Sequence, residues 1–123
     1  MAHPIRALVP FVHVRNVPES IAFYEKLGMT VGNTFVPPDA SEPAWAWLQS
    51  GIAQLMLAKA SEPVIPSQQA VLFYLYVEDV AAKHEELRQG GVPVGDIKYP
   101  FFAPRGEFRI TDPDGYVLMI THT

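Results

Sequence analysis

Apolar residues fill positions 7–14 almost without a break, as "ALVPFVHV", and polar residues bound them. That pattern predicts a strand buried on both faces. The period then changes. Asn16 stands three residues before Glu19, a capping-box spacing, and Pro18 falls in the first helical turn. Val17, Ile21, Tyr24 and Leu27 recur at helical spacing until Gly28 stops the run. The same grammar returns later in the chain. Residues 70–77 are apolar, Asp79 caps, Val80, His84 and Leu87 line one helical face, and Gly90 and Gly91 end it.

The two stretches align at one offset. Val14 and Val77, Asn16 and Asp79, Val17 and Val80, and Gly28 and Gly91 each lie 63 residues apart. The offset also carries Pro37 onto Pro100, Leu55 onto Leu118 and Met56 onto Met119. A gapless self-match over half a chain predicts two copies of one βαβββ unit, residues 5–58 and 70–122. The remaining strands are expected near 29–36, 44–50 and 52–58, then near 92–98, 106–112 and 115–122. The Pro- and Ser-rich "KASEPVIPSQQ" (59–69) reads as a linker. "DPDG" at 112–115 is a turn signal, in which Pro113 presets the backbone and Gly115 relieves it. By the same offset Trp45 and Trp47 fall on Phe108 and Ile110, which favours core packing for both tryptophans and leaves a site role open, because they follow a Pro-rich loop. The fold class is therefore α+β, in a single domain spanning 1–123.

Composition and charge narrow the function. The chain has 123 residues, 49% of them hydrophobic and 18% charged, enough apolar content for a real core. No apolar run approaches the roughly 20 residues that span a bilayer. "MAHPIRALVPF" lacks a signal-peptide core and cleavage site, so a cytoplasmic protein without membrane contact is expected. With no cysteine, disulfides, thiol chemistry and Cys-rich zinc sites are excluded. The net charge of −4 and the lack of a Lys/Arg stripe argue against nucleic acid as partner.

"HVRNVPESIAFYEKLGM", "YVEDVAAKHEELRQGGV" and "DPDGYVLMI" on a duplicated βαβββ frame resemble the vicinal oxygen chelate superfamily, the glyoxalase, bleomycin-resistance and extradiol-dioxygenase group. The resemblance covers essentially the whole chain. It implies a curved mixed sheet forming a cup, helices outside and a ligand inside. In metal-using members His, Glu or Gln project inward from the first and fourth strand of each unit. Those positions fall here on Val9, Met56, Leu72 and Met119, none of them a ligand for Mg²⁺, Ni²⁺ or Fe²⁺. Of the four histidines only His13 has inward parity: His3 is terminal, His84 lies on the second helix, and His122 has outward parity. No metal and no cofactor are expected, and Met56 and Met119 become apolar wall.

Strand alternation nominates the lining: Phe11 and His13, Gln54 and Met56, Leu72, Tyr74 and Tyr76, Met119 and Thr121, with Glu107 and Arg109 from the seventh strand. Phe101, Phe102 and Arg105 are candidates for the rim. Arg109 either clamps a ligand carboxylate or phosphate or pairs internally with Glu107. His13 and Glu107 are the inward groups able to do acid–base work without a metal. The resemblance to the metal-less bleomycin-resistance branch implies a homodimer that binds a small hydrophobic or aromatic molecule, a drug or a metabolite, without chemistry. The alternative is an enzyme of the same superfamily, glyoxalase-like lyase, dioxygenase or antibiotic-modifying thiol transferase, with a non-standard site.

Overall fold

A computed structural model describes residues 3–123. Two compact units meet in sequence between Pro63 and Val64. The first contains β1 (Phe11–Val14), α1 (Val17–Lys26), β2 (Thr30–Phe35), β3 (Trp45–Ser50) and β4 (Ala53–Lys59). The second contains a short 3₁₀ turn (Pro66–Gln68), β5 (Leu72–Tyr76), α2 (Val80–Gln89), β6 (Phe108–Thr111) and β7 (Val117–Thr121). Among the described residues no helix is long and apolar enough to cross a membrane.

Each unit builds one mixed sheet. The first sheet has the order β1-β4-β3-β2, with β1 parallel to β4. The second has the order β5-β7-β6, with β5 parallel to β7. The helices begin where the sequence places their caps. Asn16 Oδ1 accepts the N–H of Glu19 at 2.9 Å, and Asp79 Oδ1 accepts that of Ala82 at the same distance. Past the helix ends, Gly28 and Gly91 take φ of 106° and 84°, a region costly for any side chain.

One face of each sheet is dry. In the first unit Val12, Val14, Ala46, Leu48, Leu55 and Leu57 are buried, and α1 closes on β2, β3 and β4 with Val17, Tyr24 and Leu27 also buried. In the second the buried set is Phe108, Ile110, Leu118 and Ile120, with Val80 and Leu87 from α2. Each buried Val, Leu, Ile or Phe among them contributes roughly 1.5–3 kcal/mol of hydrophobic stabilisation. The opposite faces stay open, which corrects the expectation that residues 7–14 and 70–77 form strands buried on both sides. β1 alternates exposed and buried residues, and Leu72, Tyr74 and Tyr76 of β5 are exposed.

Two further expectations change. Residues 92–98 do not form a strand. Pro93 offers no N–H, and the segment's backbone is tied to β6 by Gly95 N–H to Arg109 O and, just before that strand, by a bridge between Lys98 and Glu107. The repeat also slips in its third strand. Ala46 pairs with Leu57, eleven residues on, whereas Phe108 pairs with Ile120, twelve residues on. β4 matches β7 at an offset of 63, so β3 matches β6 at 62. The extra residue lies in the hairpin: Gly51 and Ile52 join β3 to β4, while Asp112–Tyr116 join β6 to β7. A one-residue shift inverts every side chain of a strand. Trp45 and Trp47 therefore leave the predicted core for the open face, and Ala46 and Leu48 take the core positions.

The longer turn holds itself together. Asp112 Oδ1 accepts the N–H groups of both Asp114 and Tyr116 at 2.9 Å, and Gly115 N–H donates to Asp112 O at 3.0 Å. Gly115 has φ of 89°, and a Cβ there would lie 2.4 Å from Pro66 Cβ. Only glycine satisfies both constraints.

Candidate functional site

The strand registers lay out the open face of the first unit as rows. One row runs Phe11, Met56, Trp47, Asn33, and the next runs His13, Ala58, Trp45, Phe35. Gln54 and Gln49 pair beyond Met56 and Trp47. Phe11 and His13 meet edge to face, with ring centroids 5.4 Å apart. Trp47 lies against the backbone at Gly32, where a β-bulge interrupts β2. A Cβ on Gly32 would come within 2.8 Å of the indole, so the glycine lets the ring settle on the sheet. The result is an aromatic and thioether surface with two glutamines, and no charged side chain in these rows.

The second unit presents a different face on the same frame. Tyr74, Met119 and Arg109 form one row. Tyr76 pairs with Thr121, and extending the β6–β7 register by one residue sets Glu107 beside Thr121. Tyr74 and Tyr76 stack with centroids 6.4 Å apart, both exposed. Arg109 is exposed, whereas Glu107 is buried and its Oε2 has no hydrogen-bond partner. The atom also makes no pair with Arg109.

The other candidates take these places. Phe101 and Phe102 are exposed on the 99–106 loop and meet edge to face at 5.4 Å. Arg105 turns back to the final strand: its N–H donates to His122 Nε2 at 3.0 Å and its guanidinium to Thr123 O at 2.7 Å. His84 bonds Gly95 O at 2.8 Å and packs edge to face on Phe108, on the helix side of the sheet. Trp45 and Trp47 are the open-face residues that the constant 63-residue offset hid. The signal available for them was the difference between the two-residue "GI" turn and the longer "DPDG" turn.

The residues at the family's metal positions do not fit a metal. Val9 and Leu72 carry no donor, and Met56 and Met119 offer thioethers in apolar rows. Among the described residues no group of three His, Asp or Glu side chains gathers as a divalent ion would require.

A family model described as the Glyoxalase/Bleomycin resistance protein/Dioxygenase superfamily matches residues 6–120. No curated protein matches the chain significantly. Among solved structures, a bleomycin resistance determinant encoded on the transposon Tn5 superposes with a TM-score of 0.77 at 19% identity, covering 97% of this chain and 98% of its own. A bleomycin-binding protein complexed with bleomycin gives 0.76 at 19% identity, over 97% and 99% of the two chains. TnmS3, an antibiotic binding protein from Streptomyces sp. CB03234, gives 0.76 at 19% identity, over 99% and 98%. At these identities the likeness is one of fold.

Proposed function

Because the chain belongs to the glyoxalase/bleomycin resistance protein/dioxygenase superfamily, we propose that it is a metal-independent binding protein for a small hydrophobic or aromatic molecule, a drug or metabolite. The open aromatic faces of its sheets are the binding surfaces. The observation that carries this reading is the row Phe11–Met56–Trp47, an uncharged aromatic strip left open on one side of a well-packed sheet. Monomeric proteins rarely leave contiguous apolar surface of this kind without a use. Tyr74, Tyr76 and Met119 offer a second such surface, where Arg109 meets an acceptor on the ligand. His13, Gln54 and Phe102 supply polar and rim contacts.

Two bleomycin-related neighbours and an antibiotic-binding one support binding over chemistry. The apolar donor set at the family's metal positions supports it independently. The protein works, in this reading, as a cytoplasmic homodimer. Support comes from Ile5 and Leu8, which are 86% and 90% exposed, and from β2, whose six residues are all exposed at a sheet edge.

Thermal-shift and calorimetric titration against a bleomycin glycopeptide and a panel of neutral aromatic compounds tests the binding claim. Stabilisation by at least one class is expected, and none across the panel overturns it. Elemental analysis of freshly purified protein checks metal independence, which a near-stoichiometric divalent ion would refute. Light scattering at micromolar concentration checks the dimer.

A further inference from the structure

Glu107 is an anomaly in a chain that otherwise exposes or satisfies its charges. Its side chain is 8% exposed, and Oε2 is the buried side-chain nitrogen or oxygen that lacks a hydrogen-bond partner among the described residues. Its backbone is fully engaged, with N–H and C=O both bonded to Lys98. The backbone bridge therefore fixes the residue while its Oε2 is left without a donor. Burying a carboxylate oxygen this way is unfavourable unless a donor or an ion compensates it. Local folding does not demand the acid. The equivalent residue of the first unit is Trp45, an aromatic side chain on the same frame.

The surroundings say what kind of donor is missing. Along the row Tyr76–Thr121–Glu107, exposure falls from 61% to 4% and 8%. The row thus runs from a solvent-open aromatic ring to an enclosed carboxylate. A ring can lie on Tyr76 and its stacked neighbour Tyr74, with a short arm directed inward along the row. The tyrosine faces attract a cation as well as a ring, and the net charge of −4 draws cations toward the protein.

We infer that Glu107 is the specificity-determining acceptor of the second unit's face, selecting aromatic ligands that carry a protonated nitrogen on a short arm. The nitrogen donates to the Glu107 carboxylate, while the ring packs on Tyr74, Tyr76 and Met119. Arg109, one row away and exposed, repels a second positive group and restricts the ligand to one ammonium. This inference rests on the binding reading above and narrows its ligand class.

The test uses two probes of one shape, tryptamine and 3-ethylindole, titrated into the full chain carrying ¹³C-methyl methionine. The Met119 methyl follows the second unit's face and the Met56 methyl the first. At the Met119 methyl, tryptamine is expected to bind about tenfold or more tightly than 3-ethylindole, the scale of a charge-assisted hydrogen bond. In Glu107→Gln that preference is expected to fall below about twofold while 3-ethylindole affinity holds. The variant is expected to melt no lower than wild type, because it keeps the side chain's shape and takes away an acceptor that lacks a donor. If Glu107→Gln does not fold, the side-chain carboxyl resonance of Glu107 in the wild type decides. It must move with tryptamine and stay still with 3-ethylindole. Equal affinity of the two probes at Met119, or a preference that survives in Glu107→Gln, overturns the inference and leaves aromatic binding standing. If neither methyl responds to either probe, the binding reading falls and takes the inference with it.

Discussion

At equivalent places in the two hairpins, the first unit sets Trp47 beside Met56 and the second sets Arg109 beside Met119. Two residues further along the strand, Trp45 corresponds to Glu107. The dry sides of the same strands diverge far less: Ala46, Leu48, Leu55 and Leu57 answer to Phe108, Ile110, Leu118 and Ile120, all buried and all apolar. The contrast separates two kinds of constraint. The helix-facing side must be filled at high density, so any duplicate that folds keeps it apolar. The open side carries no such demand and is available for chemistry. One unit has become an uncharged aromatic surface and the other a surface with one cation and one enclosed anion.

The strongest way to break this comparison is to damage the shared core. Leu57 and Ile120 occupy matching positions and are both fully buried. Leu57→Ala and Ile120→Ala are each expected to cost about 2–5 kcal/mol in urea unfolding. A cost under about 1 kcal/mol at either would show that the two cores are not equivalent. The turns should separate next. Gly115→Ala faces both a positive φ and a Cβ contact of 2.4 Å, whereas Gly51→Ala has φ of 58° and open space around it. We expect about 1 kcal/mol for Gly51→Ala and at least twice that for Gly115→Ala by the same assay.

Function comes third in size. With 3-ethylindole read at the Met56 methyl, Trp47→Ala should weaken binding about tenfold, and Arg109→Ala should change it less than about twofold. Equal losses would mean that the faces do not act separately.

The smallest effect belongs to the outer side of α2. The Glu85 carboxyl is lowered to about 2, chiefly by its hydrogen bonds from Arg88 and then Gln89. A carboxyl lowered in the folded state stabilises above its ordinary value of 4.5, and that contribution fades as the pH falls toward 2. Arg88→Ala should therefore lower the melting temperature slightly near neutral pH and not at all near pH 2. Added salt should shrink the difference, because the pair is solvent-exposed.

Much of this architecture is legible in the sequence, because the signals involved are local. Asn16 and Asp79 announce the helix starts, Gly28 and Gly91 the ends, and "DPDG" the last turn. Strand alternation also places Phe11, Tyr74, Tyr76, Met119 and Arg109 on open faces. The slipped strand is another matter. A repeat detected at one offset cannot reveal a residue inserted within a hairpin, and a slip of one moves a whole strand's side chains to the other face. That slip is what carries Trp45 and Trp47 to the open face. Pro93 and Gly95 carry the warning against a strand at 92–98, and the duplication masked it. The burial of Glu107 depends on packing that no spacing encodes.

The placement of the tryptophans has a practical side. The chain contains two, and both sit half-buried on the open face of the first unit. Intrinsic indole fluorescence is therefore a built-in optical reporter for the first unit's face. Quenching or a spectral shift on adding a compound that does not itself absorb or emit in that range reports arrival at the first unit.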